Sequence, residues 1–120
     1  MKNIKVTSTN NINKQGIFIA CPVTYTIDKI GGRWKPLILY NLTAGKKRYS
    51  ELKRDIPVIT EKMLIQHLKE LEQDGLVLRE SLPVVPPHVT YSLTKPGKEL
   101  GPMLDAMAKW GLRNNRQVNK

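Results

Sequence analysis

The segment TEKMLIQHLKELEQDG, residues 60–75, constrains the fold more strongly than any other part of this chain. At about 100° per residue it places apolar and polar side chains on opposite arcs, as an amphipathic helix does. The two arcs are Leu64, Leu68 and Leu71 on one side and Lys62, Gln66 and Lys69 on the other. The leucines predict contact with a core. The opposite side is either a solvated surface, the usual reason for charge on a helix, or a binding surface.

The residues before this helix predict a helix-turn-helix. Ser50 is a candidate N-cap for a short helix over residues 51–56, and Pro57 cannot continue that helix. Residues 56–59 then form a tight connection to Thr60, which is a suitable N-cap for the long helix. A turn of about four residues between two helices is the arrangement that places the second helix in the major groove of duplex DNA.

The neighbouring segments complete an α+β domain. Residues 23–30 predict an amphipathic segment closed by two glycines, and residues 34–43 predict a buried helix. Strand candidates over residues 76–82 and 88–94 flank the proline-rich tip PVVPP, which predicts a two-stranded β wing. The sequence therefore predicts a winged helix-turn-helix with additional N- and C-terminal helices. We expect one domain at residues 17–115, with a flexible N-terminal tail at residues 1–16 and a flexible C-terminal tail at residues 116–120.

The charge of the chain restricts its partners. Twenty Lys and Arg against ten Asp and Glu give a formal net charge of +10. A field of this sign attracts polyanions, with nucleic acid first and anionic membrane second. No stretch approaches the roughly 20 apolar residues of a membrane span, and the polar N-terminus lacks the apolar segment of a secretion signal. We therefore expect a cytoplasmic protein that binds nucleic acid and not a membrane.

Enzyme chemistry and metal binding are not expected. One cysteine and two separated histidines leave no plausible zinc site in the sequence. One cysteine also cannot form an internal disulfide, which agrees with a reducing compartment. The sequence contains no glycine-rich phosphate loop and no nucleophile motif with a placed base, so we expect neither catalytic residues nor a cofactor.

The polar arc of the long helix supplies the candidates for reading DNA bases. A helix fits the major groove, where Gln can pair with adenine through two hydrogen bonds and Lys can donate to guanine. Ile65 lies beside this arc, where it can contact a thymine methyl group. The preceding turn and the following wing favour this interpretation over a solvated surface. The candidates for base reading are Lys62, Ile65, Gln66 and Lys69.

A second group of residues is suited to the phosphate backbone. The segment GKKRYSEL, residues 45–52, puts three cations before a helix N-terminus, and this combination binds anions. Two alternatives are that Arg48 pairs with a carboxylate such as Glu51 and that His88, at the wing tip, is only a surface residue. The candidates for phosphate contact are Lys46, Lys47, Arg48, Ser50, Thr60 and His88.

Together these motifs resemble the HxlR-type family of bacterial transcriptional regulators, which have MarR-like winged helices. The resemblance covers residues 21–111. Its main motifs are CP at 21–22, GGRW at 31–34, KRY at 47–49, LE at 71–72, DGL at 74–76, VPPHVTYSLTKPGKEL at 85–100 and WG at 110–111. Two positions depart from the family pattern, because His88 stands where the family usually has Arg and Thr90 where it usually has Glu.

The resemblance implies a homodimer in which N- and C-terminal helices form the contact and the long helices read successive major grooves. The expected partner is a pseudo-palindromic operator in double-stranded DNA. The last predicted helix, residues 95–114 with a kink expected at Pro102, has an apolar stripe suited to a core or a dimer contact. The candidate interface residues are Leu100, Met103, Leu104, Met107 and Trp110.

The resemblance also implies a sensory role for Cys21, because several family members detect oxidants or electrophiles with the matching cysteine. Pro22 predicts a helix boundary here, and a helix N-terminus with nearby cations favours a reactive thiolate. The nearby cations are Lys29, Arg33 and Lys35. The alternative is a small buried apolar side chain, the commonest environment of a free cysteine. With no second cysteine in the sequence, a disulfide must join Cys21 of the partner subunit or a small thiol.

The residues and the resemblance together predict a homodimeric, sequence-specific regulator of transcription, with Cys21 as a candidate sensor of oxidants or electrophiles. Two other classes of protein fit part of the sequence. An RNA- or ribosome-associated protein would also be basic, but it would normally expose aromatic side chains, and aromatic residues form 6% of the chain, mostly at apolar-patterned positions. A small thiol enzyme would need a placed base or a second cysteine.

Overall fold

The computed structural model describes residues 21–117, and these residues fall into two compact units, residues 21–32 and 33–117. The predicted N-terminal tail lies outside the described residues, as do the last three residues of the predicted C-terminal tail. The described part of the first unit contains one helix, α1 (Pro22–Ile30).

Helix α1 begins and ends close to the residues that the sequence predicts. Cys21 is its N-cap residue, and Pro22 lies in its first turn, where the missing N–H costs nothing. At the other end the Gly31 N–H donates to the Ile27 carbonyl over 2.6 Å. Gly32 has a φ of +93°, a conformation that favours glycine. The two glycines therefore end the helix, as predicted.

The second unit is a winged helix-turn-helix with flanking helices, and this confirms the predicted α+β class. Its elements within residues 33–117 are α2 (Trp34–Leu42), β1 (Lys47–Arg48), α3 (Tyr49–Asp55), α4 (Glu61–Gln73), β2 (Val77–Leu82), β3 (His88–Leu93), α5 (Lys95–Glu99) and α6 (Gly101–Asn114). Helices α3 and α4 form the helix-turn-helix, and the hairpin of β2 and β3 forms the wing.

The three strands form one antiparallel sheet in the order β1–β3–β2. In the wing, Val77 of β2 lies opposite Leu93 of β3. The short strand β1 pairs with the other side of β3, where Lys47 lies opposite Tyr91. The sequence predicted a two-stranded wing and missed β1, because two residues are too few to show an alternating pattern.

The core of the second unit orients helix α4. Leu64, Leu68 and Leu71 are 0%, 2% and 0% exposed, which confirms the predicted apolar arc. The other buried apolar residues of this unit are Ile38, Leu39, Leu42, Leu52, Ile56, Ile59, Val77, Leu93 and Leu104. Because burying a leucine stabilises a fold by about 1.5–3 kcal/mol, rotation of α4 about its axis is strongly disfavoured. Its polar arc therefore faces outward.

Two threonines fix helix starts around this core. The Thr60 hydroxyl oxygen accepts the Met63 N–H over 3.1 Å, which confirms Thr60 as the N-cap of α4. Thr94 caps α5 in the same way by accepting the Gly97 N–H over 3.2 Å. The Thr94 hydroxyl also donates to the Gly75 carbonyl over 2.6 Å. This second bond ties the start of α5 to the end of α4.

The predicted start of α3 is wrong. The N-cap residue is Arg48, so Ser50 lies inside the first turn and does not cap the helix. Arg48 is extended because it belongs to β1, and the chain passes directly from that strand into the helix. Pairing with β3 therefore overrides the capping preference of Ser50.

The predicted last helix is two helices. The break lies at Leu100, between the end of α5 at Glu99 and the start of α6 at Gly101. Pro102 has no N–H to continue α5, and it lies in the first turn of α6, where none is needed. The proline was correctly expected to disturb the helix, but the interruption lies at Leu100, two residues before it.

Candidate nucleic-acid interface

The turn between α3 and α4 sets the direction in which α4 presents its polar side. Ile56 and Ile59 anchor the turn in the core, at 2% and 1% exposed, whereas Val58 between them is 69% exposed. The Ile59 N–H donates to the Ile56 carbonyl over 3.3 Å, which tightens the turn. Thr60 then starts α4 with its leucines directed to the core, so the opposite side of α4 is open to solvent.

The four side chains predicted to read bases are all exposed on this side of α4: Lys62, Ile65, Gln66 and Lys69. Ile65 is 47% exposed, which is enough for an apolar contact with a base. Within residues 21–117, Lys62 and Lys69 form no ion pair. Both ammonium groups are therefore available to a polyanion.

Gln66 differs from these lysines because its amide is already held. Its Nε2 donates to Glu70 Oε2 over 3.2 Å, and Lys35 Nζ from α2 lies 2.7 Å from Glu70 Oε1. His67 Nδ1 lies 3.7 Å from the same oxygen, beyond hydrogen-bond distance. The hydrogen bond from Lys35, followed by that from Gln66, holds the pKa of Glu70 below its usual value. Glu70 is therefore an ionised acceptor at neutral pH.

A groove of about 360 Å³ separates α4 from the wing. It is lined by Ile65, Lys69 and Glu72 from α4 and by Arg79 and Tyr91 from the wing. Arg79 is exposed and forms no ion pair within the described part of the chain. It lies opposite Tyr91 in the sheet, on the side that faces α4. The wing thus places a guanidinium beside the polar side of α4.

Arg79 was not among the residues predicted to contact DNA, although the sequence contained a signal for it. Side chains two residues apart on a strand lie on the same face of the sheet. Val77 is buried at 2% exposure, so Arg79 continues the face that packs toward α4. Counting by two from Val77, rather than from Leu76 at the start of the predicted strand, identifies it.

Two lysines predicted to bind phosphate have carboxylate partners. Lys47 Nζ lies 3.0 Å from Asp55 Oδ2, and Lys46 Nζ lies 3.5 Å from Glu80 Oε1. All four side chains keep some solvent exposure. Because exposed ion pairs are worth only about 0–1 kcal/mol, a phosphate group can replace either carboxylate at little cost.

Arg48 and Ser50 present unpaired side chains at the start of α3. The Arg48 backbone N–H, rather than its guanidinium, donates to Glu51 Oε1 over 2.8 Å. The guanidinium forms no ion pair between residues 21 and 117, so the alternative pairing with Glu51 is wrong. Ser50 is exposed in the first turn, beside Arg48 and Lys47. Thr60 accepts a backbone N–H as the cap of α4 but keeps its own O–H to donate.

His88 lies beside the wing tip, at the end of the hairpin. It is the first residue of β3, half-buried and opposite Leu82 in the hairpin. Successive residues of a strand point to opposite faces, so His88 lies on the face away from Tyr91 and the groove. The tip itself is formed by residues 83–87, where Val85 is 99% exposed.

Tyr49 is a structural part of the helix-turn-helix. Its hydroxyl is buried and has no hydrogen-bond partner among the described residues. Burial is the main cause that raises the pKa of Tyr49, and Glu61 and Tyr91 add to it. The side chain is therefore neutral at neutral pH and contributes packing between α3, α4 and the sheet.

Helix α6 exposes large apolar side chains. Met107 is 51% exposed and Trp110 is 62% exposed, and their spacing of three residues puts them on one side of the helix. Leu100 and Met103 are half-buried, whereas Leu104 is 3% exposed and belongs to the core of its own chain. Of the five predicted interface residues, Met107 and Trp110 are thus the most accessible.

Cys21 is exposed at the N-cap of α1, so the alternative of a buried apolar cysteine is wrong. The cations expected near it have other contacts. These contacts are Lys29 over the ring of Tyr25, Arg33 over the ring of Trp34 and Lys35 with Glu70. Helix α1 also exposes apolar side chains: Val23, Tyr25 and Ile27.

The described residues contain no group of three or more side chains that could hold a metal ion. Of the helices between residues 21 and 117, none is both long enough and apolar enough to cross a membrane.

Most of the chain matches a known protein family. The HxlR-like helix-turn-helix family matches residues 29–119, which include the whole helix-turn-helix and the wing. An uncharacterised HTH-type transcriptional regulator of Bacillus subtilis, YybR, is 48% identical over 106 residues, which cover 88% of this chain and 81% of YybR.

The chain is also similar to proteins of known structure, among them a redox regulator and a transcriptional regulator. The redox regulator HypR in its oxidised form has a TM-score of 0.76 and 49% identity, and the match covers 78% of this chain and 97% of HypR. The reduced form of the transcriptional regulator YodB from Bacillus subtilis has a TM-score of 0.68 and 37% identity, over 82% of this chain and 98% of YodB.

Proposed function

The chain belongs to the HxlR-like helix-turn-helix family of transcriptional regulators, and on this premise we propose that it acts as a homodimer that reads a pseudo-palindromic operator with helix α4. The family and the named relatives are DNA-binding regulators rather than enzymes. We propose that the protein acts in the cytoplasm of a prokaryote, where it would meet its operator.

The exposed polar side of α4 is the observation that carries this proposal. A helix enters the major groove with its N-terminal part against the base edges. Lys62, Gln66 and Lys69 are hydrogen-bonding side chains that face outward along about two turns of α4. In this pose Gln66 pairs with adenine, the lysines donate to guanine, and Ile65 contacts a thymine methyl group.

Phosphate contacts set the position of α4 in the groove. Lys46, Lys47, Arg48 and Ser50 supply cations and a hydroxyl beside the first turn of α3. Thr60 lies at the start of α4. Arg79 adds a cation on the wing side of α4 and replaces His88 as the main wing contact, because His88 lies on the other face of the sheet.

Dimerisation is proposed through the apolar side of α6. A two-fold symmetric operator requires a protein with the same symmetry. Met107 and Trp110 expose more apolar surface than a solvated helix needs, and Leu100 and Met103 border them. Leu104 is omitted from the contact because it is buried within its own chain.

Selection of genomic duplex fragments with the purified protein tests this proposal. The expected result is one enriched pseudo-palindrome whose half-sites are separated by about one helical turn of DNA, 10–10.5 base pairs. Duplex RNA should compete only weakly, whereas strong competition would favour the RNA-associated alternative. Enrichment without any shared sequence would contradict sequence-specific binding.

Thiol sensing is the finer part of the proposal. HypR and YodB are similar in sequence and fold, and HypR is described as a redox regulator. Cys21 is exposed at the N-cap of α1, so its sulfur is accessible to an oxidant. Diamide would take two electrons and two protons from a pair of thiols as they form a disulfide. The second thiol belongs to Cys21 of the partner subunit or to a small thiol.

Gel-shift titrations with and without diamide test the sensor. Diamide should change the operator affinity of the wild type and leave that of Cys21→Ser unchanged, because serine cannot form the disulfide. Mass spectrometry identifies the oxidised species. If Cys21 is shown to be oxidised and the affinity of the wild type does not change, the cysteine has no sensory role.

A further inference from the structure

Glu70 joins two helices at the base-reading position. It lies on α4, four residues after Gln66, and its two carboxylate oxygens have different partners. Oε2 accepts the Gln66 amide over 3.2 Å, and Oε1 accepts Lys35 Nζ of α2 over 2.7 Å. The Lys35 side chain is only 14% exposed, so its position is restricted by the residues packed around it.

The charge of Glu70 decides which way the Gln66 amide points. An ionised carboxylate only accepts hydrogen bonds, so the NH₂ group of the amide must face it. One N–H is then used by Glu70, and the other N–H and Oε1 remain. An adenine edge in the major groove offers the N7 acceptor and the N6 donor, which match this remaining pair.

We propose that Glu70 is a positioning residue that holds the Gln66 amide in the orientation required to recognise adenine, with Lys35 as its anchor. The inference rests on the proposed function, because it assumes that Gln66 contacts a base. An isolated Gln and Glu pair on a solvated helix stabilises that helix only weakly. Here the carboxylate is itself fixed by an ammonium group from a second helix, so its position does not depend on the pair alone.

Ionisation of Glu70 is part of this arrangement. A protonated carboxyl or a neutral amide at position 70 can donate as well as accept, and the Gln66 amide could then turn over. The partners of Glu70 keep its pKa below the usual value, which maintains the acceptor-only state at neutral pH. The orientation is therefore held by charge and not only by shape.

Glu70→Gln tests the proposal, with Glu72→Gln as the matched control. Both changes remove one negative charge from α4, but Glu72 has no hydrogen bond to Gln66 and lines the groove toward the wing. The base pair that depends on Gln66 is first identified by comparing the selected sequences of the wild type and Gln66→Ala. Binding to duplexes with and without that base pair then gives a discrimination ratio for each variant.

Glu70→Gln should lower this discrimination ratio by roughly three- to sixfold. Once released, the Gln66 side chain can adopt up to three staggered rotamers, and its amide can take two flipped orientations, of which only one recognises adenine. Glu72→Gln should leave the ratio unchanged and shift affinity for all duplexes alike. In a Gln66→Ala background, Glu70→Gln should have no further effect on the ratio. Nitrogen relaxation of the Gln66 side-chain NH₂ group should show greater motion in Glu70→Gln and in Lys35→Met.

The possible outcomes separate this inference from the proposed function. If Gln66→Ala relaxes one base pair and Glu70→Gln does not, Glu70 is not a positioning residue, although the reading side of α4 stands. If Glu70→Gln lowers the ratio equally with and without Gln66, it acts by another route and the inference also fails. If Gln66→Ala leaves the selected sequence unchanged, the placement of the reading side is wrong, and the inference fails with it.

Discussion

Replacing Met107 and Trp110 together with glutamine is expected to convert the proposed dimer into a monomer and to weaken operator binding by about 10²–10⁴-fold. A two-fold interface contains each residue twice, so the double variant removes four large apolar side chains from one contact. Burial of a side chain such as methionine contributes about 1.5–3 kcal/mol. A monomer would bind one half-site and lose the gain from simultaneous binding of the second.

Light scattering and DNA titration measure the two parts of this prediction. At micromolar concentration the wild type should have a mass of about 27 kDa, twice the chain mass of 13.7 kDa, and the variant should approach the mass of one chain. Glutamine leaves the net charge unchanged, so binding to unrelated duplexes at fixed salt should fall much less than binding to the operator.

Leu78→Gln is the matched control for the dimer. Leu78 is an apolar residue of β2 with 47% exposure, and the change again removes an exposed apolar side chain without altering charge. This variant should remain dimeric. A monomeric wild type, or a double variant that still has the mass of two chains, would show that α6 does not form the contact.

The sequence predicted the helix-turn-helix and the wing because local signals agree there with tertiary packing. The leucine spacing of α4, the cap at Thr60 and the barrier at Pro57 all act within a few residues. The end of α3 and the start of α4 are thus set by the residues beside them. The buried leucines then define the outward side of α4, so the base-reading candidates could be named from the sequence.

Predictions failed where a distant segment decides the local structure. Strand β1 exists because Lys47 and Arg48 pair with β3, far along the chain, and this pairing moved the N-cap of α3 from Ser50 to Arg48. The face on which His88 lies depends on the register of the same sheet. A two-residue strand has no periodicity of its own, so sequence alone could not reveal any of these features.

The contacts of Glu70 show the same limit within the candidate site. Gln66 and Glu70 are four residues apart, and their proximity on α4 follows from helical spacing. Lys35 belongs to another helix, and only the packing of α2 against α4 places its ammonium group on Glu70. The sequence thus named the side chain that is proposed to read the base but not the residues that hold it.

Gln66→Ala is expected to cost about 1–3 kcal/mol of binding to the preferred operator and to relax the preference at one base pair in each half-site. The variant loses the two hydrogen bonds that an amide can make with adenine, while all phosphate contacts remain. Binding to unrelated duplexes and the salt dependence should therefore stay as in the wild type. Repeating the fragment selection and titrating the selected duplex at several salt concentrations measures both effects.

Arg79→Ala and Arg48→Ala are the controls, because both remove an exposed guanidinium that has no ion pair within the described residues. If these residues contact phosphate, each change should weaken binding to all duplexes alike and reduce the salt slope by about 1, with the selected sequence unchanged. The opposite pattern, in which Arg79→Ala alters one base preference and Gln66→Ala alters none, would move base reading from α4 to the wing. Such a result would contradict the assignment of the polar side of α4 as the reading surface.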